Sequence, residues 1–285
     1  MNSLEIKSFY DPCSHTLTYV VFDQNTKDAI IIDPVLDYDA SSGSISLESM
    51  NELLGFINKE QLIILQVLET HVHADHLTAA LEFKRFFPNV KVGIGEKVLS
   101  VQKTFKQKLN LFTLHDNGSQ FDFLFKDGEE LSFGSINVKI IATPGHTPAC
   151  VSYLIEDMLF TGDTLFMPDS GTGRCDFPDG SAEDLYNSVH EKLYKLPDET
   201  RVFVGHDYQP KGRELLFETT IGESKKNNFQ LSMGTSQQDF VHFRIKRDAT
   251  LNDPKLLLPS ILVNLNGGCV PDSSSNGVQF NRKKK

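Results

Sequence analysis

No stretch of this chain is apolar over the roughly 18 to 20 residues that a membrane span needs. The longest apolar run, around Gln61–Leu68, has the length of a strand. The start, Met1–Tyr10, alternates apolar and polar residues. It lacks a basic segment followed by an apolar one, so it does not read as a secretion signal. The expectation is a cytoplasmic protein with no membrane partner. Cysteine is scarce: Cys13, Cys150, Cys175 and Cys269 are scattered without a C-x-x-C pair, which argues against a disulfide framework. Positive charge is also short. Lys and Arg number 28 against 38 Asp and Glu, a formal net charge of −10, the opposite of the basic surface that nucleic-acid binding needs. The basic end, Arg282-Lys283-Lys284-Lys285, follows a Ser/Gly/Asn-rich stretch and is expected to be a disordered tail rather than a binding arm.

The rest of the composition is that of an ordinary globular chain, and 285 residues suit one large α/β domain with a C-terminal appendage. Leu17–Asp23 and Ala29–Asp33 read as strands separated by the turn-like Gln24-Asn25-Thr26. Apolar residues at helical spacing (Leu47, Met50, Leu53, Leu54, Ile57) predict a helix over Leu47–Asn58. A buried strand, Leu62–Leu68, and a helix, Leu77–Phe87, follow. Val90–Ile94, Ile136–Ala142, Cys150–Glu156, Met158–Thr161 and Arg201–Val204 read as strands, and Val98–Phe105 and Ala182–Lys192 as helices. Asn110–Lys126 reads as an irregular loop. Past residue 210 the character changes: Glu214–Phe229 and Asp239–Leu251 look helical, and 253–268 is a Leu/Pro/Asn-rich extension. The expected layout is a catalytic domain over 1–210, a helical and extended segment packed on it over 211–270, and a disordered tail over 271–285. Strands bounded by helices in both halves suggest a four-layer αββα sandwich.

Chemistry concentrates after the strand at Leu62–Leu68, where the chain reads Thr70-His71-Val72-His73-Ala74-Asp75-His76. Imidazole and carboxylate are the usual ligands of divalent zinc and iron. Four such side chains within six residues, after a buried strand, argue against chance surface histidines. Alternation along the segment lets one backbone stretch serve two neighbouring metal positions. Three more candidates each follow a predicted strand: His146 in Thr143-Pro144-Gly145-His146, Asp163 in Thr161-Gly162-Asp163-Thr164, and His206 in Gly205-His206-Asp207-Tyr208. Strand ends are where α/β folds build sites, and adjacent glycines permit tight turns. Together these are seven ligand-type side chains, enough for one or two metals. His15, His115, His190 and His242 lie outside these segments and are given no metal role.

In this order the motifs resemble those of the metallo-β-lactamase superfamily, over roughly Leu4–Tyr208. The resemblance implies an αββα sandwich with metals at the edge between two sheets. Two branches are similar: glyoxalase II and the persulfide dioxygenases (sulfur dioxygenases, the ethylmalonic-encephalopathy-protein group). Thr70–Ala79, Gly173-Arg174-Cys175-Asp176-Phe177, Gly205–Tyr208 and Thr219–Lys225 resemble the dioxygenases. Arg247–Leu251 and Leu258–Asn264 resemble the bacterial β-lactamase-hydrolase-like members of that branch. No basic glutathione-binding segment of the glyoxalase II type is present.

The dioxygenase resemblance implies oxidation of a thiol persulfide, glutathione persulfide or similar, with O2 and water to thiol and sulfite. It implies one iron(II) per chain on His71, His146 and Asp163. His73, Asp75, His76 and His206 would then be outer or second-site residues, with Asp75 and His76 in catalytic roles. The hydrolase alternative places one or two zinc(II) ions on the same set: His71, His73 and His146 on one, Asp75, His76 and His206 on the other, and Asp163 between them, for thioester cleavage. A non-enzymatic metal or sulfide sensor is the third reading. Arg174, Tyr208, Lys211 and Arg213 are the candidate substrate-binding residues, Arg174 having an ion pair with Asp176 or Asp179 as its structural alternative. Cys175 stands where these relatives usually have Thr, as a packing residue or as a redox-sensitive thiol. A homodimer is an implied partner, the thiol carrier stays open, and Phe121–Phe125 reads as core or dimer contact.

Overall fold

The computed structural model describes residues 4–271 and 274–282. In chain order the first half consists of β1 (Leu4–Asp11), β2 (Thr16–Asp23), β3 (Asp28–Ile32), β4 (Val35–Asp39), β5 (Ser44–Ser46), α1 (Glu48–Glu60), β6 (Ile63–Leu68), β7 (Leu77–Thr78), α2 (Ala80–Phe86), β8 (Lys91–Gly95), α3 (Val98–Lys108) and β9 (Phe123–Phe125). The second half consists of β10 (Glu130–Phe133), β11 (Ile136–Ala142), β12 (Val151–Ile155), β13 (Met158–Phe160), α4 (Ala182–Asn187), β14 (Arg201–Phe203), β15 (Glu218–Thr220), α5 (Ile221–Asn227), α6 (Gln237–Asp248), α7 (Leu257–Asn264) and β16 (Asn281–Arg282).

Two six-stranded sheets carry the fold, in the orders β1-β2-β3-β6-β8-β9 and β10-β11-β12-β13-β14-β15. Strand β2 shows why they stack. All eight of its residues are buried, so both of its faces are covered. Tyr19 and Val21 point into a core shared with Ile136, Val138 and Tyr153 of the second sheet. Val20 and Phe22 point the other way, into a core with Met50 and Leu53 of α1, Phe83 of α2 and Val101 of α3. Helices α4 and α6 contribute Leu185 and Phe240 on the second-sheet side. The expected αββα sandwich is therefore what the chain forms. Among the described residues no helix is long and apolar enough to cross a membrane.

Several local expectations change. The predicted helix over Leu77–Phe87 begins only at Ala80, because Leu77 and Thr78 pair with β4. Glu214–Phe229 is not one helix. Its β-branched Thr219 and Thr220 sit in β15, which covers the edge of β14, and the Thr220 hydroxyl then caps α5. The 253–268 extension contains α7, which tolerates Pro259 because the first helical turn needs no N–H there. The loop after Asn110 ends in β9, a parallel edge strand beside β8. The tail expected to be disordered is ordered over 274–282. Phe280 is buried, Asn281 pairs with Ser44, and Arg282 forms an ion pair with Glu82. The apolar Phe280 supplies the burial that composition alone conceals. Lys283, Lys284 and Lys285 lie outside the described residues.

Candidate metal centre

Five strand ends converge. Asp33 follows β3, the segment 69–76 follows β6, His146 follows β11, Asp163 follows β13, and His206 follows β14. At Gly162 (φ +48°) an added Cβ would lie 2.4 Å from the Thr70 hydroxyl, so only glycine lets these two loops meet.

Donor atoms of His71, His146 and Asp163 all lie within 4.8 Å of one another, and so do those of His73, Asp75 and His76. His206 Nε2 is 3.2 Å from Asp163 Oδ1 and 3.3 Å from Asp75 Oδ2, while His146 Nε2 is 3.6 Å from Asp163 Oδ2. Asp163 thus turns one oxygen to each half of the cluster. All seven sequence-predicted residues come together.

Hydrogen bonds decide which nitrogen each ring presents. His146 Nδ1 lies 2.7 Å from the Arg174 carbonyl, which can only accept, so Nδ1 carries the proton and Nε2 offers its lone pair. The Thr70 hydroxyl donates to Asp33 Oδ2 at 2.7 Å and so accepts from His71 Nδ1 at 2.9 Å, again leaving Nε2 as lone pair. His73 is held from the other side: its Nε2 is 3.0 Å from Asp33 Oδ1 and 3.3 Å from Glu69 Oε2.

Buried atoms without a hydrogen-bond partner test whether a metal fits. His71 Nε2, His73 Nδ1, His76 Nε2, His206 Nε2 and Asp163 Oδ1 are all of this kind. Orphaned buried polar atoms are costly and rare. Five nitrogen and carboxylate donors turned into one buried cluster are a donor set for a borderline divalent ion, so the residues fit.

Without a metal the cluster is a charge network. Burial, together with His73 and His146, holds His71 well below the usual histidine value. Burial also depresses His73, but the charge and hydrogen bond of Asp33, with Glu69, outweigh it and hold His73 well above. Burial opposes ionisation of His206, yet Asp163 and Asp75 raise it to about 9. Burial works against the Asp75 and Asp163 carboxylates, but the facing histidines hold both well below the carboxylate range.

Not every sequence candidate faces the cluster with its polar end. Arg174 spends its guanidinium on Asp176, through Nε at 2.5 Å and Nη2 at 2.6 Å, and on the Asn252 carbonyl. Its carbonyl, not its charge, touches the centre. Arg213 makes a fork to the fully buried Asp207 and a second pair with Asp169. Lys211 is exposed in a left-handed turn. Tyr208 is half exposed and lies flat on His206, ring centroids 5.6 Å apart, where it can meet an incoming molecule. The Phe177 ring stands edge-on to His146 at 5.2 Å. Cys175 is buried, and burial pushes its thiol well up, the surroundings expected of a packing residue.

Sequence reasoning missed Asp33, Glu69, Asn264 and Arg244. Asp33 and Glu69 each follow a buried apolar strand directly, an unusual place for a carboxylate and a usable signal. Asn264 and Arg244 gave no such signal, because the backbone carbonyls they hold near the centre are more than 70 residues away.

The metallo-beta-lactamase superfamily model matches residues 11–206. The chain belongs to that superfamily, whose members are metal-dependent enzymes. Among relatives, it is 46% identical over 281 residues to Glyoxylase B2 of Dictyostelium discoideum, covering 98% of this chain and 96% of that protein. It is 45% identical to a beta-lactamase hydrolase-like protein of Xylella fastidiosa, covering 96% of this chain but only 63% of that longer protein. It is 32% identical to the mitochondrial persulfide dioxygenase ETHE1 of Bos taurus, over 88% of this chain and 82% of that one. The crystal structure of ETHE1 from Myxococcus xanthus superposes with a TM-score of 0.74 at 33% identity, covering 93% of this chain and all of that one.

Proposed function

We propose that this protein is an iron(II)-dependent persulfide dioxygenase. The observation that carries the reading is the convergence of His71, His146 and Asp163, with both rings turned so that Nε2 faces inward by neutral acceptors. Likeness to the persulfide dioxygenases at 31–33% identity supports it. The overall change is R-S-SH + O2 + H2O → R-SH + SO3²⁻ + 2 H⁺. His71, His146 and Asp163 would hold the iron(II), which when bound would supply open coordination positions and the redox capacity for oxidising a sulfur. The chain's own residues do the rest. Phe177, edge-on to His146, and Phe166, edge-on to His206 at 6.0 Å, would limit water at the centre, and the Tyr208 hydroxyl would donate to substrate at the mouth. Asp75, His76 and His206, gathered around the Thr16 hydroxyl, would carry off the protons. The test loads the protein with iron(II) under anaerobic conditions, adds glutathione persulfide and O2, and measures oxygen uptake and sulfite. Oxygen uptake matched by sulfite is expected. Zinc-loaded protein that cleaves S-lactoylglutathione, with no oxygen uptake by the iron form, overturns the reading.

A di-metal thioester hydrolase is the second reading, and a specific observation favours it. His73, Asp75 and His76 gather their donors within 4.8 Å, and Asp163 turns its other oxygen toward His206, so a second ion beside the first would find donors. The relative named Glyoxylase B2 points the same way. Metal stoichiometry separates the two readings.

A further inference from the structure

The family-model match ends at residue 206, yet the centre is braced from beyond it. Asn264, at the end of α7, donates from Nδ2 to the His73 and His76 carbonyls at 2.8 Å each, and accepts the Thr78 N–H at 2.8 Å. On the other flank stands the buried ion pair Arg244–Asp248 of α6, Nη2 to Oδ1 2.6 Å. Arg244 Nη1 reaches the Thr172 and Gly173 carbonyls at 3.1 and 3.3 Å. Asp248 Oδ2 accepts the Cys175 N–H at 2.8 Å.

That last bond matters because of what shares its peptide plane. The Cys175 N–H and the Arg174 carbonyl are the two ends of one peptide group, which is planar and stiff. Asp248 holds one end, and the other accepts the His146 Nδ1 proton. The carboxylate, the peptide and the imidazole form a line that ends at the inward-facing Nε2. A directly bonded carboxylate–histidine pair is the common way to orient a metal-binding imidazole; here a peptide group is interposed. Stability alone is a weak reason to bury such a pair, since well-packed apolar residues serve as well. Its fork on the carbonyls before Arg174, and its carboxylate on the amide after it, give the pair a geometric task.

We propose that Asp248 and Arg244 are positioning residues of the metal centre, acting through the Arg174–Cys175 peptide to orient His146. The inference rests on the reading of this cluster as a metal centre, and not on which reaction the metal serves.

Cobalt(II) is the probe. Its affinity is measured by competition with a chromophoric chelator, its geometry by the d–d absorption spectrum, and thermal unfolding is recorded with and without the ion. Asp248→Asn is expected to weaken cobalt binding about 10-fold or more, to alter the spectrum, and to shrink the rise in Tm that cobalt produces. Arg244→Lys, which keeps the charge but gives up the fork, is expected to give a smaller loss of the same kind and serves where Asp248→Asn does not fold. A purely structural role would lower both Tm values equally and leave affinity and spectrum alone. That result in either folded variant overturns the proposal. Wild-type protein that takes up no cobalt overturns the metal-centre reading itself, and the positioning role with it.

Discussion

His71 and His73 are two residues apart on one loop, both fully buried, with ring centroids 4.1 Å apart, yet they sit in opposite electrostatic surroundings. His71 leans on a neutral hydroxyl, and burial with neighbouring imidazoles keeps it unprotonated. His73 leans on two carboxylates, which draw a proton onto it. Elsewhere in the cluster His146 rests on a neutral carbonyl, while His206 lies between two carboxylates, which draw a proton onto it. Residue type and spacing are alike in both halves. For His71, His73 and His206 the groups around the ring set its charge in the metal-free protein, because an imidazole between carboxylates gains more from charge than it loses by burial.

The largest test of this division removes its shared member. Asp163→Ala is expected to weaken metal binding by more than about 100-fold, exceeding the usual effect of outer residues, and to abolish turnover; retention of metal by elemental analysis would remove Asp163 from the ligand set. His73→Ala tests the division itself. If His73 belongs to the protonated half, one iron per chain should remain on His71, His146 and Asp163. Loss of all metal from this variant would instead place His73 among the ligands and favour the hydrolase.

A change of pH should act on the metal-free protein in a defined direction. His206 is raised from 6.5 to about 9 in the folded chain. Its contribution is therefore fully present below pH 6.5 and lost as pH rises through about 9, a matter of a few kcal/mol. His71, with a lowered value, acts oppositely: below pH 6.5 the unfolded chain takes up a proton that the folded site refuses. Thermal unfolding of metal-free protein should show Tm falling from pH 6.5 to 9, and His206→Gln should make that limb shallower, with His73, also raised, supplying the remainder. An equally steep limb in the variant would assign it to other groups.

Away from the centre the effects shrink or change kind. Arg213→Ala leaves Asp207 a buried carboxylate without its partner, and about 3 kcal/mol of stability should be lost in urea unfolding. Unchanged stability with a raised KM would return Arg213 to the substrate site. The smallest effect concerns Cys175. Buried and with its thiol pushed up, it should resist an alkylating reagent in the folded protein while exposed Cys13 and Cys269 react. Labelling at Cys175, mapped by mass spectrometry, would revive the redox role.

Much of this protein was legible in the residues alone. Local periodicity placed β2, β3, α1, β6 and β11 within a residue or two, since each buries its own face. The motif spacing picked out all seven residues of the cluster, because ligands must follow strand ends closely to converge. Misreadings fell where a distant partner decides. Thr219 and Thr220 became a strand because β14 needed an edge partner, and 274–282 became ordered because Phe280 found a core to enter. Arg174 and Arg213, the candidate substrate anchors, pair with the nearby Asp176 and Asp207, the first being the structural alternative the sequence had already offered.

What the sequence by itself determined is the inventory: a family of fold, a set of donors, and their order along the chain. Only the tertiary structure decided what each donor can do. Asp33 lies 40 residues before His73, and Asp248 lies 73 residues after Cys175. Protonation, tautomer and orientation are set by contacts within about 3 Å in space. The segment Thr70–His76 names the candidates, but the groups folded around it assign their roles.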